Sequence, residues 1–165
     1  QKYGARATFS IINSKIGGKI YMNAEQLREM QRAGMEIASH TFSHNRLEDI
    51  DPIYLDWEIG TSKYDLEKKL LPKDESIKTL AYPCGSYNEQ AIAKLKQFGY
   101  VAALTGKEFL NTPEHFHKHP MEMYRLIVMD DGKNPYTFAG LLHKGYWRSY
   151  LKDRGIDVRF LSWVI

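Results

Sequence analysis

Cysteine is nearly missing: Cys84 is the only one in 165 residues. That excludes an internal disulfide and a cysteine-rich zinc site, and it leaves the redox compartment open. Long apolar runs are missing too. Nothing approaches the roughly 20 consecutive apolar residues that a membrane span needs, and no secretory signal opens the chain. An excess of one charge is also absent. Lys and Arg number 23 against 20 Asp and Glu, a formal +3. The cations are interleaved with acids, and the densest pair, Lys68-Lys69, follows Glu67. Such a pattern is solvated helix surface, not a nucleic-acid stripe. What the chain does have is core material. It is 43% hydrophobic and 13% aromatic, enough for one domain over residues 1–165.

The hydrophobic pattern alternates between strand and helix. Ala7–Ile12 reads as a strand rich in β-branched residues. Gly17-Gly18 is a turn, and Asn23 with Gln26 makes a capping box for a helix that Gly34 ends. Leu27, Met30 and Met35 supply its apolar side. Glu36–Ser39 is a second strand. Asp51-Pro52 opens another helix, with Ile53, Trp57, Tyr64 and Leu66 as its expected inner face. Thr79–Tyr82 is a strand with a sharp exit at Pro83-Cys84-Gly85. Asn88 caps a helix through Phe98, Gly99 stops it, and Val101–Leu104 is a strand. Asn111–Pro120 reads as a polar loop carrying His115, His117 and His119. Tyr124–Met129 and Val158–Ile165 read as strands, and Thr137–Leu151 as a helix. Repeated βα units imply an α/β fold on a mostly parallel sheet, open or closed into a barrel. Chemistry in such folds gathers at the C-terminal ends of the strands.

Two histidines lie at one of those ends. His40 and His44 follow the Glu36–Ser39 strand. Neutral imidazole is a good zinc ligand, and i, i+4 spacing on a helical turn aims two rings at one point. Ser39, Thr41 and Ser43 are placed to hold ring N–H groups or a water. The plainer reading is a pair of surface or capping histidines. The Tyr82–Gly85 turn at the same sheet edge favours the functional one. Two ligands still fall short of the three protein ligands usual in a catalytic site. Cys84 has no basic partner nearby in sequence and reads as a small turn residue rather than a nucleophile. His115, His117 and His119 read as solvated, and Tyr146, Trp147 and Tyr150, at helical spacing, as core.

Gly34-Met-Glu-Ile-Ala-Ser-His-Thr-Phe-Ser-His44 resembles the second motif, H-[ST]-x-x-H, of the NodB-type polysaccharide deacetylases, carbohydrate esterase family 4. Tyr3-Gly-Ala-Arg-Ala-Thr-Phe-Ser10 resembles the strand ahead of that motif. Ala81-Tyr-Pro-Cys-Gly-Ser-Tyr-Asn88 resembles the third motif, R-x-P-Y-G-x-x-N, and Gln97-Phe-Gly-Tyr-Val-Ala-Ala103 the strand after it. The match runs in order over residues 1–130, with 131–165 weakly matched. It implies a partial or distorted (β/α) barrel, a divalent metal, with zinc the expected ion, and hydrolysis of N-acetyl groups on an amino-sugar polysaccharide. By the same resemblance His40 and His44 are metal ligands. Tyr82, Pro83, Cys84 and Gly85 line the substrate groove, with a backbone N–H for the developing oxyanion, and Gly85 permits close backbone approach. Arg125 takes an orienting role toward a carboxylate. The resemblance further implies an extracellular or envelope-associated protein.

The chain departs from the family pattern in several places. The first motif, T-F-D-D-G, whose aspartates provide the general base and a metal ligand, does not precede Ala7. Gln1 falls where a helix of the family fold would end, so the resemblance implies an N-terminally incomplete copy that binds zinc weakly and is nearly inactive alone. The rival source of carboxylates is Val128-Met-Asp130-Asp131-Gly132, by permutation or duplication, with Leu151–Phe160 weakly echoing residues 1–9. D-D-G is also ordinary turn chemistry. Ala81 replaces the arginine of the third motif, Cys84 its tyrosine, and Asn45 the proline that usually follows the second histidine. The A-Y-P-x-G form resembles the branch acting on poly-β-1,6-N-acetylglucosamine. No L-x-x-H motif supplies a catalytic acid near the C-terminus. The competing functional reading is a carbohydrate-binding relative that has lost its base.

Overall fold

The computed structural model describes residues 4–72 and 75–126, together with Tyr146, Leu151, Lys152, Arg154 and Gly155. Four strands form one parallel sheet in chain order: β1 (Thr8–Ile11), β2 (Glu36–Ser39), β3 (Thr79–Ala81) and β4 (Ala102–Leu104). Successive parallel neighbours require a crossover each time. Those crossovers are α1 (Ala24–Arg32), α2 (Ser62–Leu70) and α3 (Glu89–Gln97). All C-terminal strand ends therefore share one edge.

Capping chemistry sets the helix starts. The Asn23 side chain accepts from Gln26 N, and the Gln26 side chain accepts from Asn23 N, closing the expected box on α1. Asn88 accepts from Ala91 N at the start of α3. Leu27 from α1, Leu66 and Leu70 from α2, and Ile92 and Leu95 from α3 pack with Ile37, Leu80 and Ala103 of the sheet into one core.

The stretch before α2 differs from expectation. It begins at Asp51, which caps Ile53 N, but it is a short 3-10 turn (Pro52–Tyr54) followed by a π-helical turn (Asp56–Thr61). Each change of pitch rotates the residues that follow. Ile53, Trp57 and Tyr64 thus face outward at 75%, 52% and 64% exposure, while Leu55, Ile59 and Leu66 face the core. Gly60 sits in the π turn under the Phe98 ring, where a Cβ would come within 2.4 Å of the ring.

The loop expected at Asn111–Pro120 contains a short helix, α4 (Pro113–Lys118), capped by the Thr112 hydroxyl accepting from His115 N. Met123 makes an isolated parallel bridge to Leu104, and Tyr124–Leu126 are not strand. The rest of the expected strand at Tyr124–Met129, most of the helix at Thr137–Leu151, the strand at Val158–Ile165, and Asp130, Asp131, Trp147 and Tyr150 lie outside the described residues. Tyr146 is described, and it is 55% exposed rather than core.

Candidate active site

β2 delivers His40 to the sheet edge, where its N–H donates to the Ile11 carbonyl at 2.8 Å. The His40 ring lies across the end of β3, with Nδ1 2.7 Å from the Ala81 carbonyl oxygen. A carbonyl only accepts, so Nδ1 carries the proton and Nε2 keeps its lone pair. Burial lowers the ring's pKa. The Ala81 bond pulls the other way, and the charges of His44 and Arg125 lower it further. The lone pair is thereby held available. The His44 ring stands edge-on to it, with centroids 4.7 Å apart.

The two rings meet, but not on a helical turn as the spacing predicts. Residues 40–44 form an irregular loop, with Thr41 at φ 63° and His44 at φ 70°. The loop is gripped from both sides. From the 3-10 turn after β1 (Asn13–Lys15), Asn13 N donates to the Thr41 carbonyl (3.3 Å) and Ser14 N to the Phe42 carbonyl (2.9 Å). From the π turn, Glu58 accepts from Phe42 N and Ser43 N at 3.1 and 3.0 Å. The neighbouring hydroxyls hold backbone and carboxylate, not the rings. Ser39 Oγ accepts from Thr41 N, Thr41 Oγ1 accepts from His44 N, and Ser43 Oγ donates to Glu58. The reason is proximity. The left-handed kinks turn these short side chains back onto the loop's own amides.

The Tyr82–Gly85 turn lies beside the pair, since Ala81, which holds His40, precedes it. The expected groove lining needs correction here. Tyr82 is wholly buried. Its hydroxyl donates to the Met121 carbonyl at 3.0 Å, and its ring stacks on Tyr87 at 4.7 Å. Pro83 is buried as well, and only Cys84 is exposed. Cys84 has φ 54°, so Thr41, His44 and Cys84, the three non-glycine residues with positive φ among the described residues, all fall in these two loops. Strained backbone of this kind concentrates at functional sites. Within the turn, Tyr82 N–H is spent on Leu104 O and Gly85 N–H on Tyr82 O, and Ser86 N–H goes to Pro83 O. Proline has no N–H, which leaves the amide of Cys84 as the turn's one N–H with no backbone partner among the described residues. Gly85 does make a close backbone approach, but to Gly106: a Cβ would lie 2.7 Å from Gly106 N.

Arg125 follows the Met123 bridge. Its backbone N–H donates to Lys107 O at 3.0 Å, and its Nε to Thr105 O at 2.7 Å. The guanidinium is thus fixed where its charge reaches His40. Among the described residues the other histidines do not join this site. His115 is half-buried rather than solvated, its Nε2 3.0 Å from Glu122 O and its ring stacked on Tyr124 at 4.1 Å.

Glu58 was not expected as part of the site. Its signal is in the spacing: three residues after Leu55 and four before Ser62, it shares their buried side. As donors for a metal, His40 and His44 fit by chemistry and mutual placement. No group of three His, Cys, Asp or Glu residues able to hold one occurs among the described residues.

The polysaccharide deacetylase family model matches residues 1–103. This chain is a member of the polysaccharide deacetylase family. The protein YxkH of Bacillus subtilis (strain 168), provisionally assigned as a polysaccharide deacetylase, is 33% identical over 105 residues, 64% of this chain and 37% of YxkH. The deacetylase PplD of Streptococcus pyogenes, solved in complex with acetate, superposes with a TM-score of 0.76 at 25% identity, over 85% of this chain and 60% of that one. IcaB of Ammonifex degensii shares the fold, with a TM-score of 0.68 at 19% identity over 79% of this chain and 60% of its own. This polysaccharide deacetylase domain thus spans 37% of YxkH's length and 60% of PplD's. Its α/β architecture on a parallel sheet is shared with PplD and IcaB.

Proposed function

We propose that the protein is an enzyme that removes N-acetyl groups from an amino-sugar polysaccharide, using a divalent metal, with zinc as the expected ion. The observation that carries this reading is the His40 ring, anchored at Nδ1 and facing His44, beside a strained turn whose Cys84 amide has no backbone partner among the described residues. His40 and His44 hold the cation. The remaining ligand and the general base are carboxylates from outside the described residues. The chemistry such a cation supplies is polarisation of the acetamide carbonyl and activation of water at neutral pH. The Cys84 N–H donates to the oxygen on which negative charge develops. Arg125, clamped by Thr105, orients a carboxylate. Acetate, bound to PplD, is the product this reaction would release. The polymer belongs to the cell envelope or extracellular matrix, so the protein works there.

Acetate release from N-acetylglucosamine oligomers by the full-length protein tests the reading. Release is expected, and His40→Ala should lower it by on the order of a hundredfold or more. Oligomer binding without release would favour the carbohydrate-binding alternative.

A further inference from the structure

Glu58 is a carboxylate 4% exposed. A buried charge is costly unless its hydrogen bonds are made, and among the described residues all of its side-chain bonds go to one segment. Oε2 accepts from Phe42 N (3.1 Å) and Ser43 N (3.0 Å). Oε1 accepts from the Ser43 hydroxyl and from Asn45 Nδ2 (3.3 Å). The segment is the one that links His40 to His44 and leaves it. The π turn adds a fifth tie. Its wider ladder leaves the Glu58 carbonyl able to accept from Phe42 N at 3.1 Å as well. Bonds to an ionised acceptor are about twice as strong as neutral ones. They act on a backbone that needs them, because Thr41 and His44 hold positive φ, a state that persists only when its surroundings impose it.

We propose that Glu58 is the positioning residue for His44: it fixes the Phe42–Asn45 backbone so that the second imidazole is already set against the first before any metal arrives. The proposal rests on the reading of His40 and His44 as a ligand pair. Glu58 bonds to neither ring, and both its oxygens are occupied, so it acts through the loop and not as a ligand.

Two measurements on the full-length protein test it. The first is zinc affinity, by competition with a chromophoric chelator. The second is hydrogen exchange at the Phe42 and Ser43 amides in the metal-free protein. Glu58→Ala should weaken zinc binding by about 10–100-fold, the usual effect of losing an outer-shell partner, and speed both amides. Glu58→Gln should fall between. Its amide oxygen can still take the two N–H groups, and the Ser43 hydroxyl can reverse to accept. Should Glu58→Ala fail to fold, Glu58→Gln carries the test. A folded Glu58 variant that shifts only the melting temperature and binds zinc as the native protein does, while His44→Ala binds weakly, overturns this proposal alone. If His44→Ala binds zinc like the native protein, the ligand reading falls, and this proposal with it.

Discussion

Cys84 shows how much one residue's backbone can matter more than its side chain. Its thiol is exposed, and its peptide N–H is the donor that the turn leaves over. Anything attached to the sulfur stands at the mouth of the site. Iodoacetamide should therefore suppress acetate release by on the order of a hundredfold, the scale of losing an oxyanion donor or its approach. Cys84→Ser should retain activity and resist the reagent. Peptide mapping of the modified protein checks the location of the adduct, and full activity after complete Cys84 alkylation would remove the turn from the site. Tyr82, two residues earlier, is the opposite case: a motif residue whose ring and hydroxyl are spent on the core, against Tyr87 and Met121.

Among the elements, the Pro83–Gly85 turn has the least tolerance. It packs backbone to backbone against the Thr105–Lys107 segment that also holds Arg125. Gly85→Ala would place a Cβ 2.7 Å from Gly106 N, at a φ of 68°. Since backbone cannot swing aside as a side chain can, a loss of about 2 kcal/mol or more is expected, read as a lowered denaturant midpoint. An unchanged midpoint would mean the two segments are not in contact. The elements also show why sequence reading succeeded where it did. Caps are local chemistry, so Asn23 with Gln26 and Asn88 marked α1 and α3, and the run Glu36–Ser39 gave β2 its bounds. The helix face at Ile53, Trp57 and Tyr64 failed because a 3-10 and a π turn intervene, and a constant 3.6-residue period cannot register either. The histidine pair was legible from its spacing after a strand, but its geometry was not. Left-handed φ at Thr41 and His44 is imposed by Glu58, Asn13 and Ser14, contacts that exist only once the chain is folded.

At the scale of the whole molecule, the four described strands run the same way, so one edge collects the chemistry, and the same bonds that build the site also join the sheet. The His40–Ala81 bond ties the end of β2 to the end of β3, where the register otherwise pairs only Ser39 with Leu80. Site and fold should therefore share a pH dependence. His40 has a folded-state pKa below its ordinary 6.5, chiefly through burial. Between those two values the unfolded chain binds more protons, so stability rises with pH. The contribution is complete above about 6.5 and is lost as pH falls through the folded value. A second loss comes lower. At Glu67 burial pushes the carboxyl up, but Lys63, Ser76 and the Ile77 amide outweigh it and leave the pKa below 4.5. That contribution fades only under stronger acid. Thermal midpoints measured with a chelator present should be level from about pH 8 to 7 and fall below about 6.5. His40→Gln, whose amide can still donate to Ala81, should lack the first decline and keep the second. A native midpoint that stays flat down to about pH 5 would show that His40 titrates alike in the folded and unfolded chain, and would remove the argument that its ring is held neutral for the site.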